Sequence, residues 1–281
     1  MKKRVLIFGA FLLLMFAQRP VFAGTAMYDN IPAQLPVNLP SLGYQATQTA
    51  EFGGLVEFAS GTSRSPQHVT AFMSDWALES TYGTGGLGWS LPITLSLYNV
   101  ANVHGTLQPG SVITTVTQTF VIPWRPEADA TCKGGTAFRS GDGNCYNGLG
   151  FEVTFDLTNL NITVPDQVIY GIAYNTNTWG YHPSGQHGPY ESLNFGLNTV
   201  DPTVGRNPLP GTAYWNTITA GNYSDGGAGG TGTFRQDCAW SPYSGAVEFD
   251  SVPEPGPAGL MLSGSLLILA GAICRKKLAR R

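Results

Sequence analysis

The stretch 151–157, FEVTFDL, decides the fold. Phe151, Val153, Phe155 and Leu157 alternate with Glu152, Thr154 and Asp156, a period of two that reads as a half-buried strand. The same chemistry recurs on either side. LPITLSLYNV (91–100) alternates Leu91, Ile93, Leu95 and Leu97 with smaller polar residues, and SVITTVTQTFVIP (111–123) is a Thr- and Val-rich strand ending at Pro123. QVIYGIAYNT (167–176) is apolar on both faces, which predicts a central strand. Weaker strands are expected in GLVEFAS (54–60), QHVTAFMSDWAL (67–78), SLNFGL (192–197) and GAVEFD (245–250).

Between these segments the chain is rich in Gly and polar turn residues, and no stretch of residues 24–252 shows sustained helical periodicity. Three prolines in YDNIPAQLPVNLPSLGYQAT (28–47) predict an extended lead-in. The expected fold class is all-β, an antiparallel β-sandwich of jelly-roll-like kind. No composition shift and no convincing repeat divides the region, so one domain over 24–252 is expected.

Both ends of the chain read differently. MKKR (1–4), VLIFGAFLLLMFA (5–17) and VFA (21–23) give a basic start, an apolar core and a small-residue cleavage signal. This reads as a secretory signal peptide over 1–23, with cleavage expected between Ala23 and Gly24. At the other end, residues 257–274 carry no formal charge. As a helix they would span roughly 27 Å, close to a hydrocarbon core of about 30 Å. Five of the last seven residues are basic, which marks the cytoplasmic side of a single transmembrane helix.

The order Pro253-Glu254-Pro255, apolar helix and basic end resembles the PEP-CTERM sorting signal, here over 253–281. The resemblance implies recognition and cutting by an exosortase, a membrane-embedded peptidase, after export by the general secretion machinery and signal peptidase. Two prolines keep a helix from running outward past the membrane and leave an extended strip for that peptidase. The implied path is an inner-membrane-anchored precursor released to the cell surface or an extracellular polysaccharide matrix. Segments 28–53, 117–129 and 168–194 also resemble a group of secreted bacterial proteins without assigned activity. That second resemblance implies an exported β-sandwich and supplies no catalytic residues to carry over.

Nine of the fifteen basic residues lie in the two terminal signals. The exported part keeps six, against seventeen acids, a formal charge of −11. Such a surface repels nucleic acid and anionic polymers. In an oxidising compartment Cys132 and Cys145, flanking a turn-rich loop, are expected to pair, worth ~3 kcal/mol in the chain-entropy model. Cys238 then stands free, pairs between molecules, or displaces one of the other two. Without a CxxC pair no zinc site is expected.

Candidate chemistry is sparse. GAGGTG (227–232) matches a dinucleotide fingerprint but lacks its strand and helix, so a surface loop is expected. At DGN (142–144) Tyr146 and Val153 interrupt a calcium-loop pattern, which leaves a hairpin turn. His182 and His187 lack a third metal ligand in view, and no metal or other cofactor is expected. Glu127 and Asp129 are the carboxylate pair for the alternative reading, a jelly-roll glycan-active hydrolase; the plainer expectation for them is a solvated turn in which Arg125 pairs locally. Aromatic loops remain. Trp179 and Tyr181 in TWGYHPSGQHGPY (178–190) are candidates for stacking on neutral polysaccharide, and AYWN (213–216) is a second aromatic loop; the plainer expectation is that Trp179, Tyr181, Tyr190 and Trp215 cap the ends of the sandwich. The expectation is a non-enzymatic structural or glycan-binding protein.

Overall fold

The structure, a computed structural model, describes residues 24–34, 37–83 and 85–251. The proposed signal peptide, Pro253, Glu254, Pro255 and the apolar segment 257–274 lie outside the described residues. Among those described, no helix is long and apolar enough to cross a membrane.

Fifteen strands follow in order: β1 (Thr25–Asp29), β2 (Ser41–Gly43), β3 (Thr49–Glu57), β4 (Pro66–Asp75), β5 (Gly88–Val103), β6 (Thr106–Pro123), β7 (Phe138–Arg139), β8 (Cys145–Tyr146), β9 (Leu149–Asp156), β10 (Gln167–Tyr174), β11 (Leu193–Asn198), β12 (Ala213–Thr217), β13 (Arg235–Asp237), β14 (Ser244–Gly245) and β15 (Val247–Ser251). Two single-turn helices, α1 (Tyr44–Thr47) and α2 (Glu79–Tyr82), interrupt them. Seven strands form one antiparallel sheet, running β1-β15-β4-β11-β14 with β9 on β4 and β2 on β11. Six form the second, ordered β13-β12-β3-β10-β5-β6, and β7 pairs with β8 alone.

The alternating strands behave as their pattern requires. Val153 and Phe155 of β9 enter the core between the sheets, while Glu152, Thr154 and Asp156 face outward. Ile93, Leu95 and Leu97 of β5 join the same core from the other sheet. β10 is central, flanked by β3 and β5, and its residues after Gln167 are buried on both faces. Phe52 anchors an aromatic group with Phe195, Trp215 and Trp240, at ring separations of 6.0, 6.2 and 4.8 Å.

Three segments differ from expectation. QHVTAFMSDWAL, read as a weak strand, supplies β4, which pairs with β9 on one edge and with β15 and β11 on the other. Its polar residues obscured a central position. AYWN, read as an aromatic loop whose Trp215 caps the sandwich, is instead the strand β12, buried throughout. The extended lead-in contains the end of β1, all of β2 and the turn α1.

The reason for β12's burial is the curvature of the six-stranded sheet. β5 and β6 form a long hairpin turning at His104–Gly105, with irregularities around Tyr98 that bend it. Its far half leans over the outer face and touches β13, the opposite edge of the same sheet. The Tyr214 hydroxyl donates to Leu107 O at 2.9 Å, and Gln236 N donates to the Gln108 side chain at 3.1 Å. Leu55, Ile169 and Tyr214 form a second small core inside the curl. The outer face thus becomes a trough.

Cys132 and Cys145 are bridged, with Cα atoms 5.5 Å apart, and Cys238 is free and exposed. The bridge closes the β7–β8 hairpin, whose turn is capped by Asp142 accepting from Asn144 N and the Tyr146 hydroxyl. Buried Arg125 holds this excursion to the sandwich, donating to Thr136 O and Asn147 O at 3.0 and 2.9 Å. Thr25 pairs with Ser251, so both ends of the domain leave from one pole.

Candidate functional site on the concave sheet face

Period-two alternation on β3 sends Phe52 and Val56 into the core and leaves Glu51, Gly53, Leu55 and Glu57 facing the trough. Glu51 is nevertheless only 1% exposed. It lies across β10 because Gly171 has no side chain; a Cβ there would sit 2.1 Å from Glu51 Oε1. The Tyr98 hydroxyl, from β5, donates to Oε1 at 2.9 Å, and the Tyr181 hydroxyl donates to Oε2 at 2.5 Å. Burial raises the Glu51 pKa, and the two hydroxyls partly offset that rise. The Asn216 side chain, from β12, lies against the Tyr181 hydroxyl.

Tyr181 stands on the loop after β10. Its backbone is fixed by Thr176 N donating to Trp179 O at 2.8 Å, Ser184 N to Thr176 O at 3.0 Å, and His182 N to Asn175 Oδ1 at 2.8 Å. Tyr181 as a whole is 54% exposed and borders a cleft of about 340 Å³ with Pro92, Thr94, Thr117, Ala173, Asn175 and His182. Among the described residues lining that cleft, none is Asp, Glu, Lys or Arg. Trp179 is half-buried and lies outside this lining, so the two aromatic candidates are not equivalent.

The other sequence candidates do not converge. His182 borders the cleft, whereas His187 contacts Glu191 at 2.9 Å and the Tyr82 ring. Among the described residues no group of three His, Cys, Asp or Glu is placed to hold a metal. Glu127 accepts from Ser80 N at 3.3 Å. Asp129 binds the Thr131 hydroxyl and N–H and then Arg139, which hold its carboxyl below the usual range. Arg125 is turned inward to the disulfide hairpin and forms no hydrogen bond or ion pair with either, a correction to the expected local pairing. In GAGGTG the Gly227 and Gly229 N–H groups are taken by Asp225, itself paired with Arg235. That loop is closed on its own carboxylate.

A larger groove, about 920 Å³, lies at the pole where the chain ends emerge. Its charges are already paired, Arg206 with Glu57 at 2.7 Å and Arg64 with Asp166 at 2.8 Å. Sequence reasoning missed Glu51, Tyr98, Gly171 and Asn216. The available signal was an acid at an outward position of AEFGG, beside two glycines.

No protein-family model, curated protein or solved structure matches the chain.

Proposed function

We propose that this is an exported cell-envelope or extracellular-matrix protein whose sandwich is a non-enzymatic module that binds neutral polysaccharide. Its terminal signature supports the route: signal peptidase at Ala23–Gly24, a temporary C-terminal membrane anchor, then an exosortase-type peptidase at Pro253-Glu254-Pro255. The jelly-roll-like reading is supported by the path of the chain, because β2 through β5 and β9 through β12 switch sheets at every step.

The observation that carries the glycan reading is the uncharged cleft beside exposed Tyr181, floored by the Thr94–Thr117 hydroxyl pair at 2.8 Å. An aromatic face with hydroxyl and amide neighbours suits a sugar ring, and the −11 charge disfavours polyanions. The cleft lies at the pole away from Ser251, since β10 runs antiparallel to β3 and ends there.

The hydrolase alternative finds little support here. Glu51 and Glu57 face the same trough but stand six residues apart on one strand, roughly 20 Å, against the 5–9.5 Å of glycosidase pairs.

The test is electrophoresis of the mature protein through gels cast with neutral or acidic polysaccharide. Retardation is expected in the neutral gel alone and tolerant of salt, with Tyr181→Ala losing about 1 kcal/mol of binding and Trp179→Ala losing less. Equal mobility in every gel would contradict the reading, and release of reducing sugar would favour the hydrolase.

A further inference from the structure

We propose that β6 is a dimerisation edge: two copies of this protein pair through their β6 strands, antiparallel, into one continuous sheet. The inference does not depend on the glycan reading or on the sorting route.

The first ground is an open edge. β6 ends the six-stranded sheet and, among the described residues, pairs with β5 alone. Its far half is engaged, since Leu107 O and the Gln108 side chain bond β12 and β13. Its near half, 114–122, lies beside β5 in unbroken register, between the irregularity at Val112 and Pro123, which has no N–H. Such an edge presents a row of free backbone donors and acceptors, which proteins ordinarily guard with charge, proline or a cover. The other edges are guarded or short. β13 lies against the curled hairpin, β9 carries Glu152 and Asp156 and donates from Gly150 N to Val37 O, and Asp29 of β1 is bridged to Val204. β2 and β14 are three and two residues long.

The second ground is charge. Between Glu79 and Arg125 the sequence holds no Asp, Glu, Lys or Arg, although the exported part carries −11. β5 and β6 are therefore the neutral side of an acidic domain, where two like-charged copies meet with least repulsion. Asp156, whose backbone is bound by the Gln118 side chain, keeps its carboxylate on the Thr158 hydroxyl and N–H.

The third ground is self-complementarity. A two-fold axis at Gln118, the midpoint of 114–122, pairs the two strands residue by residue. On the core side Val116 of one copy meets Phe120 of the other, both already packed against the core. On the outer face Thr117 meets Thr119, and Thr115 meets Val121, which is 65% exposed. Opposed β-branched and apolar residues are favourable cross-strand pairs. They extend a ladder that the face already carries, Thr94 with Thr117 at 2.8 Å and Ser96 with Thr115 at 3.2 Å. Because the hairpin covers β13, the sheet's opposite edge, pairing closes at two copies instead of running on as a fibre.

The experiment is sedimentation equilibrium of the mature protein carrying Cys238→Ser, so that the exposed thiol cannot link copies. A reversible dimer is expected below about 100 μM, with amide hydrogen exchange at 114–122 slowing as it forms. Thr115→Lys with Val121→Lys sets two like-charge pairs across the axis and should weaken the dimer at least about tenfold, even though it moves the net charge towards zero. Thr115→Glu with Val121→Glu should weaken it likewise, and mixing the two variants should restore a heterodimer. Both alter exposed residues, so their circular dichroism should match the parent's. A parent that stays monomeric at 114–122 exchange rates independent of concentration would overturn the proposal. A dimer indifferent to both variants, a mixture that remains monomeric, or open-ended oligomers would overturn it equally.

Discussion

Replacing Asp75 by asparagine should convert a pH-sensitive fold into one much less so. Asp75 ends β4 on the core side, in register with Val69, Ala71 and Met73, and is 0% exposed. Neither of its oxygens closes a hydrogen bond, although the Ala77 and Trp76 N–H groups, the Trp89 indole and Arg125 lie near enough to lower its pKa. Burial outweighs them and pushes the carboxyl up to about 8, from 3.8. The folded state therefore holds a proton that the unfolded chain gives up. Below pH 3.8 both states are protonated and the group has no effect; between there and pH 8 stability falls by about 1.4 kcal/mol per pH unit. Across that window the loss reaches roughly 6 kcal/mol. Glu51 and Asp250 are also raised and add a slope of the same sign, shared by both proteins. Urea midpoints across the window should show Asp75→Asn level with the parent in acid and well above it at alkaline pH. Parallel profiles would show that Asp75 is ionised in the fold.

The second large effect concerns the tail. In a host with the matching peptidase, the released protein should lack everything beyond about Pro255. Changing Pro253, Glu254 and Pro255 to Ala should leave it uncut in the membrane, an all-or-none change in an immunoblot of membrane and medium. The physical reason is that alanines let the apolar helix continue outward and remove the extended strip. Normal processing of the triple variant would end the sorting account.

How much of this was legible beforehand depends on whether the signal was local. β9 and β5 announced themselves because one face meets the core and the other meets water, so period two survives in the residue types. β10 was legible from uniform apolarity. β4 was undervalued because Ser74 and Asp75 are polar yet fully buried, a combination that pattern reading assigns to surface. β12 was missed for a tertiary reason: the curled hairpin covers Tyr214, so both faces of AYWNT are buried and the alternation disappears. The disulfide was local, thirteen residues apart, and was read correctly. Glu51 was not, since Tyr98 and Tyr181 stand 47 and 130 residues away. Only the sheet order brings β3, β5 and the loop after β10 to one place.

Oxidative footprinting of the mature protein, with and without a saturating neutral oligosaccharide, tests the central claim most directly. It asks whether a glycan occupies the trough of the six-stranded sheet. Protection is predicted at Tyr181, Pro92 and His182, with Phe58 and Pro165 in the opposite groove and Tyr243 unchanged. Protection confined to the groove of Glu57 and Arg206, or none anywhere at saturating ligand, would contradict it.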